Sequence, residues 1–81
     1  MEITKFKDLL LRGFDVEFNI NDVFHSFTST EDENKKKFYI GNENHSLSVS
    51  FDLLDDLINF KINKKTVKEI VEATPEEEIY Y

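Results

Sequence analysis

The chain predicts a two-layer α+β fold: a four-stranded antiparallel meander with short helices on one face, in the order α-β-β-β-β-α-α. Three observations predict it. The hydrophobic period changes from helical spacing to strict alternation and back to helical spacing. Hydrophobic residues make up 40% of the 81 and aromatics 14%, with eight Phe, two Gly and one Pro, a composition that folds. Short polar turns divide the alternating stretches, so consecutive strands pair antiparallel and the helices must cover their one apolar face.

The elements follow in chain order. Ile3, Phe6, Leu9 and Leu10 recur at helical spacing, with Thr4 as the expected N-cap and Gly13 in the left-handed position that ends a helix. Phe14, Val16, Phe18 and Ile20 then alternate with Asp15, Glu17 and Asn19, which makes a strand with one buried and one acidic face. Asn21-Asp22 suits a two-residue turn, which places Ile20 opposite Val23, Phe18 opposite His25 and Val16 opposite Phe27. Phe24 then faces outward beside Asn19 and Glu17. Residues 30–37 contain no apolar side chain and read as a loop.

Phe38-Tyr39-Ile40 begins a third strand, and Gly41 to Asn44 form a turn. Leu47, Val49 and Phe51 alternate with serines as the fourth strand, in a register that sets Phe38 against Leu47 and Ile40 against His45. Leu53, Leu54, Leu57 and Ile58 form the stripe of a short helix, capped by Ser50 or Asp52, with Asp55 and Asp56 near its positive end. Residues 60–65 read as a turn with two apolar anchors. Thr66 to Glu69 is a capping box opening a last helix with Val67, Ile70 and Val71 inside, and Pro75 ends it. Residues 1–74 thus form a single domain, and 75–81 an acidic tail expected to fray.

The stretch Phe60 to Glu72, FKINKKTVKEIVE, resembles the closing segment of small uncharacterised proteins of low-GC Gram-positive bacteria and their phages and mobile elements. That segment has an IDGKTLKEIW-like form. Ile62, Lys65, Thr66, Lys68, Glu69 and Ile70 match it, while Lys64 stands for the usual Gly and Val71 for the usual Trp. Glu17 to Ile20 and the turn after it are similar to an earlier hairpin of those proteins. The resemblance implies a like fold and brings no biochemical activity with it.

Charge and motifs narrow the function classes. The net charge is −7, and more than half of it lies in the last sixteen residues, where five acids meet Lys68 alone. Such a chain repels phosphate backbones at long range, so nucleic acid is a disfavoured partner. Two lysine clusters, Lys35 to Lys37 and Lys61 with Lys64 and Lys65, are the one route to a local basic patch. There is no Cys, so neither disulfides nor thiolate zinc sites arise. His25 and His45 are too few for a zinc site, and no motif organises a serine nucleophile. Asp52, Asp55 and Asp56 lack the spacing of a calcium loop, and two glycines cannot build a phosphate cradle. No metal, cofactor or catalytic activity is therefore expected. The apolar runs are too short for a membrane span and no apolar segment follows Met1, so a cytoplasmic location is expected.

The expected function is that of a small, acidic, non-enzymatic protein-binding module. Its most concrete form is a phage or mobile-element accessory protein that inhibits a nucleic-acid-binding host protein. The candidate partner-binding residues are Asp15, Glu17, Asn19, Phe24 and Tyr39 on the outer sheet face, with Glu76, Glu77, Glu78, Tyr80 and Tyr81 in the tail. The alternative expectation is an orphan structural domain that forms a homodimer through a sheet edge or that outer face.

Overall fold

In the computed structural model, which describes residues 1–81, the first helix α1 spans Ile3–Leu11. Its end is set as the sequence predicts. Gly13 has φ +86°, its N–H donates to the Leu10 carbonyl (3.0 Å), and the Phe14 N–H donates to the Leu9 carbonyl (3.0 Å), the pair of bonds that defines a Schellman cap. Its start is not: Glu2 is the N-cap, without a side-chain bond, and Thr4 lies inside the helix. The cap also turns Phe14 outward (48% exposed), so the first strand begins later than its alternation suggests.

A single antiparallel sheet follows, with strands β1 (Val16–Ile20), β2 (Val23–Asp32), β3 (Lys35–Asn42) and β4 (Ser48–Phe51) in spatial order 1-2-3-4. The β1–β2 register is the expected one, including Phe18 opposite His25, and Asn21 and Asp22 both have positive φ (50° and 65°), as a tight two-residue turn requires. The polar stretch 30–37 is not a loop. Glu33 and Asn34 repeat the same φ pair, so β2 and β3 run on to a hairpin tip in which Glu31 opposes Lys36 and Asp32 opposes Lys35. Opposite charges across the ladder support pairing where no apolar residue does.

The β3–β4 register is shifted by four residues from expectation: Phe38 pairs with Phe51 and Ile40 with Val49. The short turn fails because β3 continues to Asn42, held by its pairing with His25. The Asn42 side chain then closes a longer loop, accepting from the Leu47 N–H (3.1 Å) and donating to Ser46 Oγ (2.9 Å). An even shift preserves facing, so Tyr39 still lies with the serines, opposite Ser50.

Helix α2 spans Leu54–Asn59, with Asp55 and Asp56 in its first turn. Neither Ser50 nor Asp52 caps it. Leu53 is the extended N-cap and stays 62% exposed, because six helical residues present only one inward stripe. The expected turn at 60–65 is instead a small hairpin of β5 (Lys61–Ile62) and β6 (Lys65–Thr66), with Asn63 and Lys64 at φ 53° and 73°. The capping box forms as predicted: the Thr66 hydroxyl accepts from the Glu69 N–H (3.1 Å), and the Glu69 carboxylate accepts from the Thr66 N–H (3.0 Å), opening α3 (Val67–Ala73).

The helices cover one face of the sheet. Phe6, Leu9 and Leu10 of α1, Leu57 and Ile58 of α2, and Val67 and Val71 of α3 join the inward strand residues in one core. Phe27 is its centre, edge-on to Phe6 (5.4 Å between centroids) and stacked on Phe18 (5.3 Å). No helix is long and apolar enough to cross a membrane.

The tail does not fray. After a 3-10 turn at Glu76–Glu78, Ile79 enters the core, and the Tyr80 N–H and C=O exchange 2.8 Å bonds with those of Glu17 on the outer edge of β1. The alternation of a strand continues here: Ile79 points in and Tyr80 out.

Candidate functional site

With every helix on one side, the opposite face of the sheet is uncovered, and its side chains are the alternate residues of each strand. Glu17, Asn19, Phe24, Ser26, Thr28 and Tyr39 all lie there. Phe24 stands opposite Asn19, and its neighbour is a residue from the far end of the chain: the Tyr80 ring is 6.1 Å from the Phe24 ring, tilted by 57°. The Glu17–Tyr80 bridge puts Tyr80 on this face, because paired residues in a ladder point the same way. Phe24 is half-buried and Tyr80 is 62% exposed.

Carboxylates surround the pair. Glu17 Oε2 accepts from Ser26 Oγ (2.8 Å), which fixes the side chain against the sheet. Glu43 Oε1 accepts from the Phe24 N–H (3.0 Å) while its own N–H donates to the Phe24 carbonyl (2.9 Å), so Phe24 is clamped where β3 has ended. Asp15 is exposed just before β1. Tyr39 is separate from the pair. It lies between Thr28 and Ser50 and its hydroxyl accepts from Thr30 (3.3 Å), at the far side of a trough floored by Gly41 and flanked by Ser26 and Ser48.

The tail residues divide. Tyr80 joins the face, and Glu77 and Glu78 are exposed beside it in sequence. Glu76 and Tyr81 turn to α1 instead. Lys5 Nζ donates to the Glu76 carboxylate and to the Tyr81 hydroxyl (2.8 Å), and it sits 5.0 Å from the Tyr81 ring centre. The bond to Glu76, then that to Tyr81, raises the Lys5 pKa, and the Lys5 bond holds the Glu76 carboxyl below its ordinary value. Glu76 and Tyr81 are therefore tied to α1 through Lys5, with both side chains still about half exposed. Glu43 was not singled out by sequence, since a glutamate in a turn gives no sign of reaching back to Phe24.

The lysine clusters do not merge. Lys35 to Lys37 lie at the tip of the β2–β3 hairpin, and Lys61 lies by the Asn21–Asp22 turn at the other end of the ten-residue β2, about 30 Å away at the usual strand rise. His25 is buried and His45 exposed. Glu69 is the other perturbed acid. The Thr66 backbone N–H, then its hydroxyl, lowers its pKa, as the capping box requires.

Compared with protein-family models, curated proteins and solved structures, the chain matches none.

Proposed function

We propose that this protein is a small non-enzymatic module that binds a basic partner protein through its uncovered sheet face. Phe24 and Tyr80 are the anchors, and Glu17, Glu43 and Asp15 steer the approach. The observation that carries this reading is the aromatic pair itself: two rings fifty-six residues apart in sequence, partly exposed, on the one layer face with no helix over it. Aromatic anchors ringed by charge are what protein interfaces concentrate. The more specific form of the proposal is a cytoplasmic accessory protein of a phage or mobile element that occludes the nucleic-acid site of a host factor. The excess of acids over bases supports it, as does the likeness of residues 60–72 to small proteins of low-GC Gram-positive bacteria. Lys64 takes a positive φ where those proteins carry Gly, so the backbone suits their pattern.

The test compares wild type with F24S/Y80S as baits in a low-GC Gram-positive lysate. A basic nucleic-acid-binding protein retained by wild type, released by DNA or salt, and held at least about thirtyfold more weakly by the double variant is the expected result. Equal retention by F24S/Y80S and E17Q/E43Q would remove this face from consideration.

One observation favours a second reading, self-association. The outer side of β4 has no partner, whereas β1 is covered by Tyr80 at Glu17. Sedimentation equilibrium decides it: a strict monomer at high concentration excludes this mode.

A further inference from the structure

We propose that the cleft between the Asn21–Asp22 turn, the β3–β4 loop and the β5–β6 hairpin binds a small carboxylate with an apolar body, gripped by His25 Nε2 and Lys61. The cleft is about 330 Å³ and lies at the rim of the helix-covered face, so it is a different surface from the one with Phe24 and Tyr80. Its volume is about twice that of the roughly 150 Å³ apolar cavity that accepts benzene, enough for one ring with a short acid arm. Val23, Leu47, Phe60 and Ile62 supply apolar walls.

The polar side of the argument begins with His25, which is 4% exposed and lines the cleft. Its Nδ1 lies 2.8 Å from the Val23 carbonyl, and a carbonyl can only accept, so Nδ1 carries the proton. The other nitrogen, Nε2, has no hydrogen-bond partner in the protein. No fully enclosed side-chain nitrogen or oxygen in the chain is left unpaired, so Nε2 keeps a narrow opening to the outside, and the cleft is what His25 lines. Nε2 is thus a hydrogen-bond acceptor open to the cleft, where water or a ligand can meet it.

The charges then select the ligand. In a chain of seventeen acids and ten bases, no Asp or Glu lines this cleft or the hollow of about 290 Å³ beyond Ile20 and Asn21. Lys61 is the only charged side chain in its wall, and Lys65 the only one in the hollow. A cationic ligand meets no carboxylate here and is opposed by the Lys61 ammonium. A carboxylate finds the Lys61 ammonium, and it favours a proton on Nε2, which converts His25 from acceptor to charged donor without breaking the Nδ1 bond to Val23. Asn21 and Asn63 at the mouth make no side-chain hydrogen bonds of their own and can meet a second polar group.

The test uses phenylacetate as probe, with phenylacetamide and acetate as controls, added to the isotope-labelled full chain near neutral pH. Phenylacetate is expected to give saturable shifts at Val23, His25, Lys61 and Ile62, with the His25 Nε2 resonance moving to the protonated position. Phenylacetamide should bind at least about tenfold more weakly, as the charge-assisted bond is lost, and acetate should not saturate. K61Q, an exposed change that leaves the core intact, should weaken phenylacetate roughly threefold. Equal binding of phenylacetate and phenylacetamide, shifts confined to other surfaces, or an unmoved Nε2 resonance would overturn the proposal, the last by showing that the cleft holds water alone. These comparisons on the unaltered chain do not depend on a His25 variant folding.

Discussion

The tail is the part of this molecule where a single side chain should have the largest reach, and I79A is the change that tests it. Ile79 is 6% exposed and belongs to the main core, although only two residues follow it. Truncation to Ala removes three buried carbons, about 2.4 kcal/mol at roughly 0.8 kcal/mol each. A cavity adds to this if the tail stays in place. If the tail swings away there is no cavity, but the two Glu17–Tyr80 bonds and the Phe24–Tyr80 contact go with it. Either way the loss is about 2.5–3 kcal/mol. In a domain of this size 1 kcal/mol shifts Tm by about 4–8 °C, so a fall of roughly 10–20 °C is expected. Circular dichroism melts give the shift, and amide exchange at Glu17, whose N–H donates to Tyr80, tells whether the tail is released. A Tm within about 4 °C of wild type, with Glu17 still protected, would refute the reasoning.

Further outcomes follow from other contacts. Glu76 has a depressed pKa because Lys5 bonds to it, so its contribution is present above the ordinary value of 4.5 and lost as pH falls through the lowered one; acid titrations monitored by Tyr81 should show E76Q losing less stability than wild type below that value. T66A removes the acceptor for the Glu69 N–H and should cost about 1 kcal/mol in urea unfolding, with little change in the m-value. K64G relieves a left-handed lysine and should stabilise the chain by about 1 kcal/mol, whereas the same change at Lys61, which has no positive φ, should not. G13A meets no atom within 4 Å but must adopt φ +86°, so it should cost about 1–2 kcal/mol from backbone strain alone, read from the same unfolding curves.

Elements with a strong local code were legible. The β1–β2 hairpin carried alternation, a turn that tolerates positive φ, and a register that buries only one way, and the α3 cap was written in Thr66 and Glu69. What stayed hidden lacked a local code. Glu33-Asn34 and Asn63-Lys64 are tight turns like Asn21-Asp22, but the residues flanking them lack its apolar alternation, so their strands looked like loops. The β3–β4 register follows from β3 running on to Asn42 opposite His25, with the Asn42 side chain closing the longer loop at Leu47. Of the candidate site, Glu17, Asn19 and Phe24 could be placed from the first hairpin alone. Tyr80 could not, because its neighbour is fifty-six residues away in sequence, and Glu76 and Tyr81 were claimed by Lys5, a pairing no spacing rule announces.

The Tyr80 bridge also limits what this protein can become when crowded. Ordered aggregates lengthen only if each subunit offers two free borders, one to receive and one to give. Here the tail covers the β1 border at Glu17 while the outer side of β4 carries no partner, so growth along the β1 side has to displace the tail first.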